Sequence, residues 1–149
     1  MIKNIVFDFN GTILDDVDVS LDALNACIIK FLGPSKVISK EYYLNSFYFP
    51  VKSYYESIGF DLNKINYNEL SNYFIDYYVS RSNECKLFPN ILKLLKYLKS
   101  KDLNIYLLSV SYEPMLIKQL EFYGIKEYFK GVISVKNKFA TSKLEIAKE

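Results

Sequence analysis

The segment Asp8-Phe9-Asn10-Gly11-Thr12 places a carboxylate, an amide and a glycine within five residues. A carboxylate held against a phosphate can attack phosphorus and form an aspartyl-phosphate. Gly11 lets the backbone turn sharply and lets its amides approach an anion closely. The segment therefore indicates a phosphate site with Asp8 as nucleophile. The alternative is that Asp8 only ends a strand and that Asn10-Gly11 only turns the chain.

The element that must position Asp8 is the apolar run in front of it, which includes Ile2, Ile5, Val6 and Phe7. A short run of β-branched and aromatic residues followed by a glycine turn is typical of a strand buried on both faces. Ligand sites in open α/β sheets lie at the carboxyl ends of such strands. We expect a strand over Ile2 to Phe7 that delivers Asp8 to such a site.

The remaining periodicity predicts an α/β chain with a helical segment near its start. Helices are predicted over residues 17–32, 39–49, 50–58 and 66–83, the last capped by Asn66. Its face carries several aromatic residues, which either pack in a core or include tyrosines that line a cleft facing Asp8. A helix from Pro89, a strand over 103–108, a helix over 113–123, a strand over 131–134 and a helix over 142–149 follow. Such alternation predicts a parallel sheet.

Composition excludes several classes of function. The chain has no histidine, which rules out Ser-His and Cys-His catalysis and His-ligated metals. A net charge of +2 and scattered lysines without a basic stripe argue against nucleic acid. Cys27 and Cys85 lack a metal-type spacing and are expected to be buried free thiols. Without a signal peptide or a membrane-length apolar run, no membrane partner and a cytoplasmic location are expected.

The sequence Asp8-Phe9-Asn10-Gly11-Thr12 resembles motif I, DxDGT, of the haloacid dehalogenase-like hydrolases. Leu107-Leu108-Ser109, after Leu87-Phe88-Pro89 and an amphipathic helix, resembles the approach to motif II of phosphoglycolate-phosphatase-like members. The resemblance gives Ser109, followed by Val110, a role in binding the phosphoryl group. A helix-capping Ser109 or Ser111 is the alternative.

Motif III of the family is a lysine near the start of a later helix. By order and spacing it is Lys143, although Leu144 stands where the family usually has proline. Lys136 and Lys138 compete for the role, and a solvated surface lysine is the alternative. The resemblance implies that the lysine neutralises charge on the nucleophile and the phosphate.

The resemblance implies a Rossmann-like parallel sheet of about three strands, with a core over residues 1–15 and 87–149 and an inserted helical cap over residues 16–86. It also implies a Mg²⁺-dependent phosphatase of a small phosphorylated metabolite. In that scheme Asp8 is the nucleophile, Asp8 and the backbone carbonyl of Asn10 are metal ligands, and Gly11 and Thr12 shape the turn at the substrate.

Two departures from the family pattern weaken the expectation of activity. Asn10 replaces the aspartate that acts as general acid and base, a role worth about 10²–10⁴ in rate, and an amide cannot carry a proton. No acidic motif IV follows, so tight Mg²⁺ binding would need another carboxylate such as Asp15, Asp16 or Glu113. The alternatives are a catalytically impaired domain that acts by binding a partner and a truncated product. Without further strands, Ile2 to Phe7 would form an exposed sheet edge, which favours a homodimer or a partner chain.

Overall fold

A computed structural model describes residues 2–136. Lys138, Lys143 and the helix predicted over residues 142–149 lie outside the described residues. The strands are β1 (Asn4–Phe7), β2 (Leu14–Asp15), β3 (Lys86–Leu87), β4 (Asn104–Tyr112) and β5 (Gly131–Val135). The α-helices are α1 (Val17–Phe31), α2 (Lys40–Ser46), α3 (Val51–Ser57), α4 (Tyr67–Arg81), α5 (Ile91–Ser100) and α6 (Glu113–Phe122).

Three strands form a parallel sheet in the order β1-β4-β5. Ile5 pairs with Ile105 and Phe7 with Leu107, while Leu107 also lies opposite Val132. Because the strands are parallel, their carboxyl ends meet at one edge of the sheet. The predicted α/β fold with a Rossmann-like sheet of three strands is thus confirmed for the described part of the chain.

Helices α5 and α6 cover one face of this sheet. Leu95, Leu116 and Leu120 are fully buried, and they share one hydrophobic cluster with Ile105 and Leu107 of β4. The cluster also contains Phe9 and Ile13, which lie on either side of Gly11 in the turn after β1. At about 25 cal/mol per Å² of apolar surface, burial of each such side chain is worth about 1.5–3 kcal/mol. This cluster fixes the sheet edge that carries Asp8.

The prediction that β1 is buried on both faces is wrong. Ile5 and Phe7 pack against the core, but Val6 is 58% exposed and Ile2, which precedes the strand, is 75% exposed. Successive side chains of a strand point to opposite faces, and the face that carries Asn4 and Val6 remains exposed. The apolar run therefore belongs to a half-buried strand at the edge of the described sheet.

Two element boundaries also differ from the predictions, each for a local reason. Helix α5 begins at Ile91 and not at Pro89, because Asn90 has a left-handed backbone with φ 68°. Strand β4 continues to Tyr112, past the predicted end at Leu108, with a register irregularity between Leu108 and Tyr112. The extension places Ser109 and Ser111 inside the strand. Neither serine caps α6, whose N-cap is Tyr112.

Helices α1–α4, which lie between β2 and β3 in the sequence, pack around a second hydrophobic cluster. Its fully buried members include Leu24, Tyr54 and Leu70. The predicted cap at Asn66 is confirmed, because its side chain accepts hydrogen bonds from the amides of Asn68 and Glu69.

The chain enters and leaves these helices through a two-stranded antiparallel ribbon. Leu14 of β2 pairs with Leu87 of β3, and Asp15 pairs with Lys86. The ribbon lies where the sequence places the boundary between core and cap, although the division into two domains stays a prediction. Among residues 2–136, no helix is long and apolar enough to cross a membrane.

Candidate active site

Asp8 follows the last residue of β1 directly, at the edge where the parallel strands end. One oxygen of its carboxylate, Oδ1, accepts a hydrogen bond of 2.8 Å from the backbone N–H of Phe9. The Phe9 side chain is fully buried, and the Phe9 carbonyl accepts the N–H groups of Thr12, Ile13 and Leu14. These bonds hold the turn after β1 in one conformation, so Asp8 is presented by a rigid support.

The glycine at position 11 is required by the backbone of this turn. Gly11 has φ +70°, a left-handed conformation that disfavours any side chain. Its N–H donates to the Leu14 carbonyl at 2.8 Å and to the Asp16 carboxylate at 3.1 Å. Since the Thr12 N–H is bonded to Phe9, both amides serve the turn itself.

Asn10 is the centre of a hydrogen-bond network that connects three elements. Its Nδ2 donates to Asp16 Oδ2 at 2.6 Å and to the Tyr78 hydroxyl at 3.1 Å. Its Oδ1 accepts the hydroxyl of Ser111 at 2.7 Å. Because an ionised carboxylate has no donor, the amide must turn its NH₂ group toward Asp16. Both ends of the Asn10 side chain are therefore engaged.

Asp16 is a carboxylate that is 3% exposed and receives four hydrogen bonds. Besides Asn10 and the Gly11 amide, its Oδ2 accepts the Tyr78 hydroxyl at 2.8 Å and the Ser20 hydroxyl at 3.4 Å. A buried charge needs such partners to offset its loss of water. Of the three extra carboxylates considered from the sequence, only Asp16 lines the cavity that contains Asp8. Asp15 is exposed, and Glu113 lies in a separate surface depression.

Tyr78 brings helix α4 into the network. Its hydroxyl donates to Asp16 and accepts from Gln119 Nε2 at 3.3 Å. Burial, together with the negative charge of Asp16, raises the pKa of Tyr78 far above its usual value. The phenol is thus a permanent neutral donor. The sequence suggested tyrosines near Asp8 only as a group, and nothing in it singled out Tyr78 as a partner of Asp16.

Ser109 and Ser111 differ in their access to the site. Ser109 is 1% exposed, donates its hydroxyl to Ser111 Oγ at 3.0 Å and accepts the Ser111 N–H at 3.1 Å. Val110 and Ser111 line the cavity with Asp8, whereas Ser109 does not. The irregularity at the end of β4 thus brings Val110 and Ser111 together at the cavity wall. The sequence pointed to Ser109 and missed Ser111 as the serine that faces the cavity.

Of the three candidate lysines, only Lys136 is among the described residues. It is exposed just after β5 and lies in a surface depression with Glu113 and Lys118. This depression is separate from the cavity that contains Asp8. Lys138 and Lys143 lie outside the described residues, so the motif III assignment stays a prediction.

A cavity of about 370 Å³ lies above Asp8, between the sheet edge and the helices α1–α4. Its floor contains Asp8, Asn10, Gly11, Asp16 and Ser111. Aromatic side chains form much of the wall, including Tyr43, Tyr55, Tyr67 and Phe74. The volume is in the range of small-molecule sites.

The oxygen atoms on the cavity floor are suitable ligands for a hard cation. Mg²⁺ prefers carboxylate, carbonyl and water oxygens, and it usually takes only one or two protein carboxylates. Asp8 and the backbone carbonyl of Asn10 lie on the same turn and fit this preference. Within residues 2–136, no cluster of three or more Cys, Asp or Glu side chains forms a complete metal cage. Among the described residues, Asp8 and the Asn10 carbonyl are the groups that would hold such an ion.

Known proteins resemble this chain in sequence pattern and in fold. The family model of haloacid dehalogenase-like hydrolases matches residues 5–143. No curated protein matches the chain. Two solved structures described as predicted enzymes are similar to it. A phosphatase from Clostridium acetobutylicum has a TM-score of 0.81 at 16% identity, with 99% of this chain and 68% of that chain covered. A phosphoglycolate phosphatase from Haemophilus somnus has a TM-score of 0.71 at 14% identity, with 91% of this chain and 63% of that chain covered.

A haloacid dehalogenase-like hydrolase from Streptococcus pneumoniae has a TM-score of 0.63 at 21% identity, with 99% of this chain and 67% of that chain covered. This chain thus spans about two thirds of the length of these proteins. The structural likeness at such low identity establishes the fold, and the family model covers nearly the whole sequence. The chain belongs to the haloacid dehalogenase-like hydrolase family.

Proposed function

We propose that this protein is a Mg²⁺-dependent phosphatase that hydrolyses a small phosphorylated metabolite. The observation that carries the proposal is the position of Asp8, at the carboxyl end of β1 and on the floor of a cavity of small-molecule size. Asp8 attacks phosphorus, the bond to the leaving alcohol breaks, and an aspartyl-phosphate forms. Water then hydrolyses this intermediate and returns the carboxylate.

The neighbouring residues support the attack in defined ways. The hydrogen bond from the Phe9 amide orients the Asp8 carboxylate. The Ser111 hydroxyl, positioned by Ser109, lies at the cavity wall, where it can donate its proton to a phosphoryl oxygen in exchange for its hydrogen bond to Asn10 Oδ1. Asp8 and the Asn10 carbonyl would hold Mg²⁺, which when bound neutralises charge on the phosphate. Lys143 is proposed to add a second positive charge.

The test is turnover of a generic aryl phosphate with Mg²⁺ by the wild type and by the Asp8→Asn variant. Removal of a nucleophile costs about 10³-fold or more in rate, so we expect the variant to be nearly inactive. Asp15→Asn is the matched control, because Asp15 is an exposed carboxylate outside the cavity. It should retain activity within a few-fold. Equal rates for the wild type and Asp8→Asn would reject the proposed nucleophile.

A second candidate function is binding without turnover. Both ends of the Asn10 side-chain amide are occupied by hydrogen bonds, and the amide has no titratable proton to give to a leaving group. In this version the cavity recognises a phosphorylated ligand and releases it unchanged. A wild-type protein that binds Mg²⁺ and an aryl phosphate but shows no turnover would favour this candidate.

The homodimer or partner chain expected from the sequence also stays a proposal, as does the cytoplasmic location. β1 is an edge strand of the sheet formed by the described residues, and Val6 is exposed on it. An exposed edge strand can pair with another chain. Sedimentation velocity at micromolar concentration is the appropriate measurement, and a compact monomer would contradict the expectation of self-association.

A further inference from the structure

The wall of the cavity above Asp8 is apolar and aromatic. Helices α2, α3 and α4 and the segment between α2 and α3 supply most of it, with the residues Tyr43, Leu44, Phe47, Phe49, Tyr55 and Phe74. Leu44, Phe47 and Phe49 are 58%, 37% and 44% exposed and form the mouth of the cavity. The part of a substrate that lies beyond its phosphoryl group would contact this apolar wall.

Among the described residues, no lysine or arginine lines the cavity. The charged side chains among the described lining residues are Asp8 and Asp16, both acidic. Two cations of the helical segment form ion pairs outside the cavity, and a third, Lys52, lies with its Nζ 5.9 Å from the ring centroid of Tyr67. Lys40 pairs with Asp18 at 2.7 Å, and Arg81 pairs with Glu84 at 2.7 Å. A further negatively charged group, on the part of a substrate beyond its phosphoryl group, would therefore lose water and would find no cationic side chain among the described residues that line the cavity.

The polar groups on the wall are neutral. Burial raises the pKa of the Tyr43, Tyr55 and Tyr67 phenols, so these groups stay protonated at physiological pH. The hydroxyl of Ser71, a residue that is 6% exposed, also lines the cavity. Hydroxyls of this kind can bond a neutral oxygen of a ligand, but they supply no positive charge.

We propose that the cavity selects the phosphate monoester of an uncharged, apolar or aromatic alcohol. The inference rests on the proposed phosphatase function and specifies its class of substrate. The phosphoryl group would lie at Asp8 and Ser111, and the alcohol would lie between the aromatic rings of the helical segment. Offset and edge-to-face contacts with such rings stabilise an aromatic leaving group beyond the gain from its buried area.

The test compares two esters of nearly equal size, 4-methylbenzyl phosphate and 4-carboxybenzyl phosphate, which differ in the charge of one substituent. A carboxylate left buried without a partner loses its hydration and gains no compensating hydrogen bond. We therefore expect kcat/KM for the methyl ester to exceed that for the carboxyl ester by about 30-fold.

A cation introduced at the mouth should weaken this preference. Leu44 lies in α2 and is exposed enough to accept a longer side chain, so Leu44→Lys places an ammonium group beside the cavity. We expect this variant to narrow the ratio of the two kcat/KM values by at least about 10-fold. Leu92→Lys is the matched control, because Leu92 is 40% exposed in α5 and lies outside the cavity. The control should keep the wild-type ratio.

The outcomes separate this inference from the proposed function. Hydrolysis of both esters at similar rates, or a preference for the carboxyl ester, would overturn the inference and leave the phosphatase function standing. If neither ester is hydrolysed, the proposed function fails, and calorimetry with the wild-type protein decides the inference. Tighter binding of the methyl ester, weakened selectively by Leu44→Lys, would support it. Equal binding, or no binding of either ester, would overturn it.

Discussion

The contact between Asn10 and Asp16 makes a specific prediction about the identity of residue 10. Asn10 Nδ2 lies 2.6 Å from Asp16 Oδ2, and Asp16 is almost completely buried. Asn10→Asp restores the residue type that the family uses as a proton carrier, but it also replaces a hydrogen-bond donor with a second carboxylate. The variant should therefore gain catalytic capacity and lose stability.

The expected loss of stability follows from the distance. A hydrogen bond to a charged group contributes about 1.5–3 kcal/mol, and the variant loses it. Two unit charges at 2.6 Å repel by ~1.6 kcal/mol in bulk water and by ~6 kcal/mol at an effective dielectric constant of about 20. Rotation of the side chain and uptake of one shared proton relieve part of this repulsion. We expect Asn10→Asp to lower the free energy of unfolding by about 3 kcal/mol near neutral pH.

The sign of the pH dependence is fixed by the shared proton. Two carboxylates in contact raise the pKa of one of them in the folded state above the value of about 3.9 for an unfolded aspartate. The stability that this group contributes is present below about pH 4 and is lost as the pH rises through the raised pKa. The deficit of Asn10→Asp relative to the wild type should therefore be larger at pH 8 than at pH 5.

Urea unfolding at both pH values measures this deficit, and a double-mutant cycle assigns it to the contact. The exchange Asn10→Asp with Asp16→Asn restores one donor and one acceptor, so it should recover about 2 kcal/mol. Asn72→Asp, on an exposed position of α4, is the control and should change stability by less than about 0.5 kcal/mol. Equal stability of Asn10→Asp and the wild type at pH 8 would refute the contact.

The same variant tests the catalytic role of position 10. An acid at this position supplies the proton that the leaving alcohol needs, a contribution of about 10²–10⁴ in rate. With Mg²⁺ and an aryl phosphate, we expect Asn10→Asp to raise kcat by about 10². An unchanged kcat, in a protein that binds Mg²⁺, would show that residue 10 has no part in proton transfer.

Three further measurements probe the surroundings of the site. Tyr78→Phe removes a donor from Asp16 and should lower the free energy of unfolding by about 1.5–3 kcal/mol in urea titrations, with a smaller change contradicting the network. Gly11→Ala should cost about 1–2 kcal/mol, because the residue has φ +70°, and a neutral effect would contradict the left-handed turn. Burial raises the pKa of Cys27 to about 12 and of Cys85 to about 11. A thiol reagent at pH 8 should therefore label neither cysteine before unfolding. Stability should fall as the pH rises from about 9 to about 11 for Cys85 and to about 12 for Cys27, because the unfolded thiols ionise first.

The fold could be predicted to a large extent because its signals are local. The helical periodicity from Val17 onward and the alternation of strands and helices after residue 88 gave α1–α6 and the sheet strands to within a few residues. The cap at Asn66 followed from the spacing to Glu69. The exposure of Val6 could not be predicted, because it depends on which side of β1 other elements cover.

The candidate site was only partly predictable, for a different reason. Asp8 and Gly11 belong to one short segment, and their roles in a turn can be read from their spacing. The partners of Asn10 come from distant parts of the chain, with Tyr78 separated by 68 residues and Ser111 by 101 residues. No short pattern connects such residues. The family resemblance assigns the phosphoryl-binding role to Ser109, whereas β4, which has a register irregularity between Leu108 and Tyr112, places Ser111 at the cavity.

The ribbon of β2 and β3 has a consequence for the order of folding. The paired residues Leu14 and Leu87 are 73 residues apart in the sequence. The ribbon contributes only two paired positions. Closing a flexible loop of this length costs about 4 kcal/mol from its logarithmic term alone, more than two pairs of strand residues recover. The intervening helices must therefore shorten the loop by packing α1 against α4 before the ribbon can form. We expect the helical segment to collapse early and the ribbon, with the turn that presents Asp8, to form late. Substitutions at the contact between α1 and α4 should therefore slow folding more than substitutions in the ribbon.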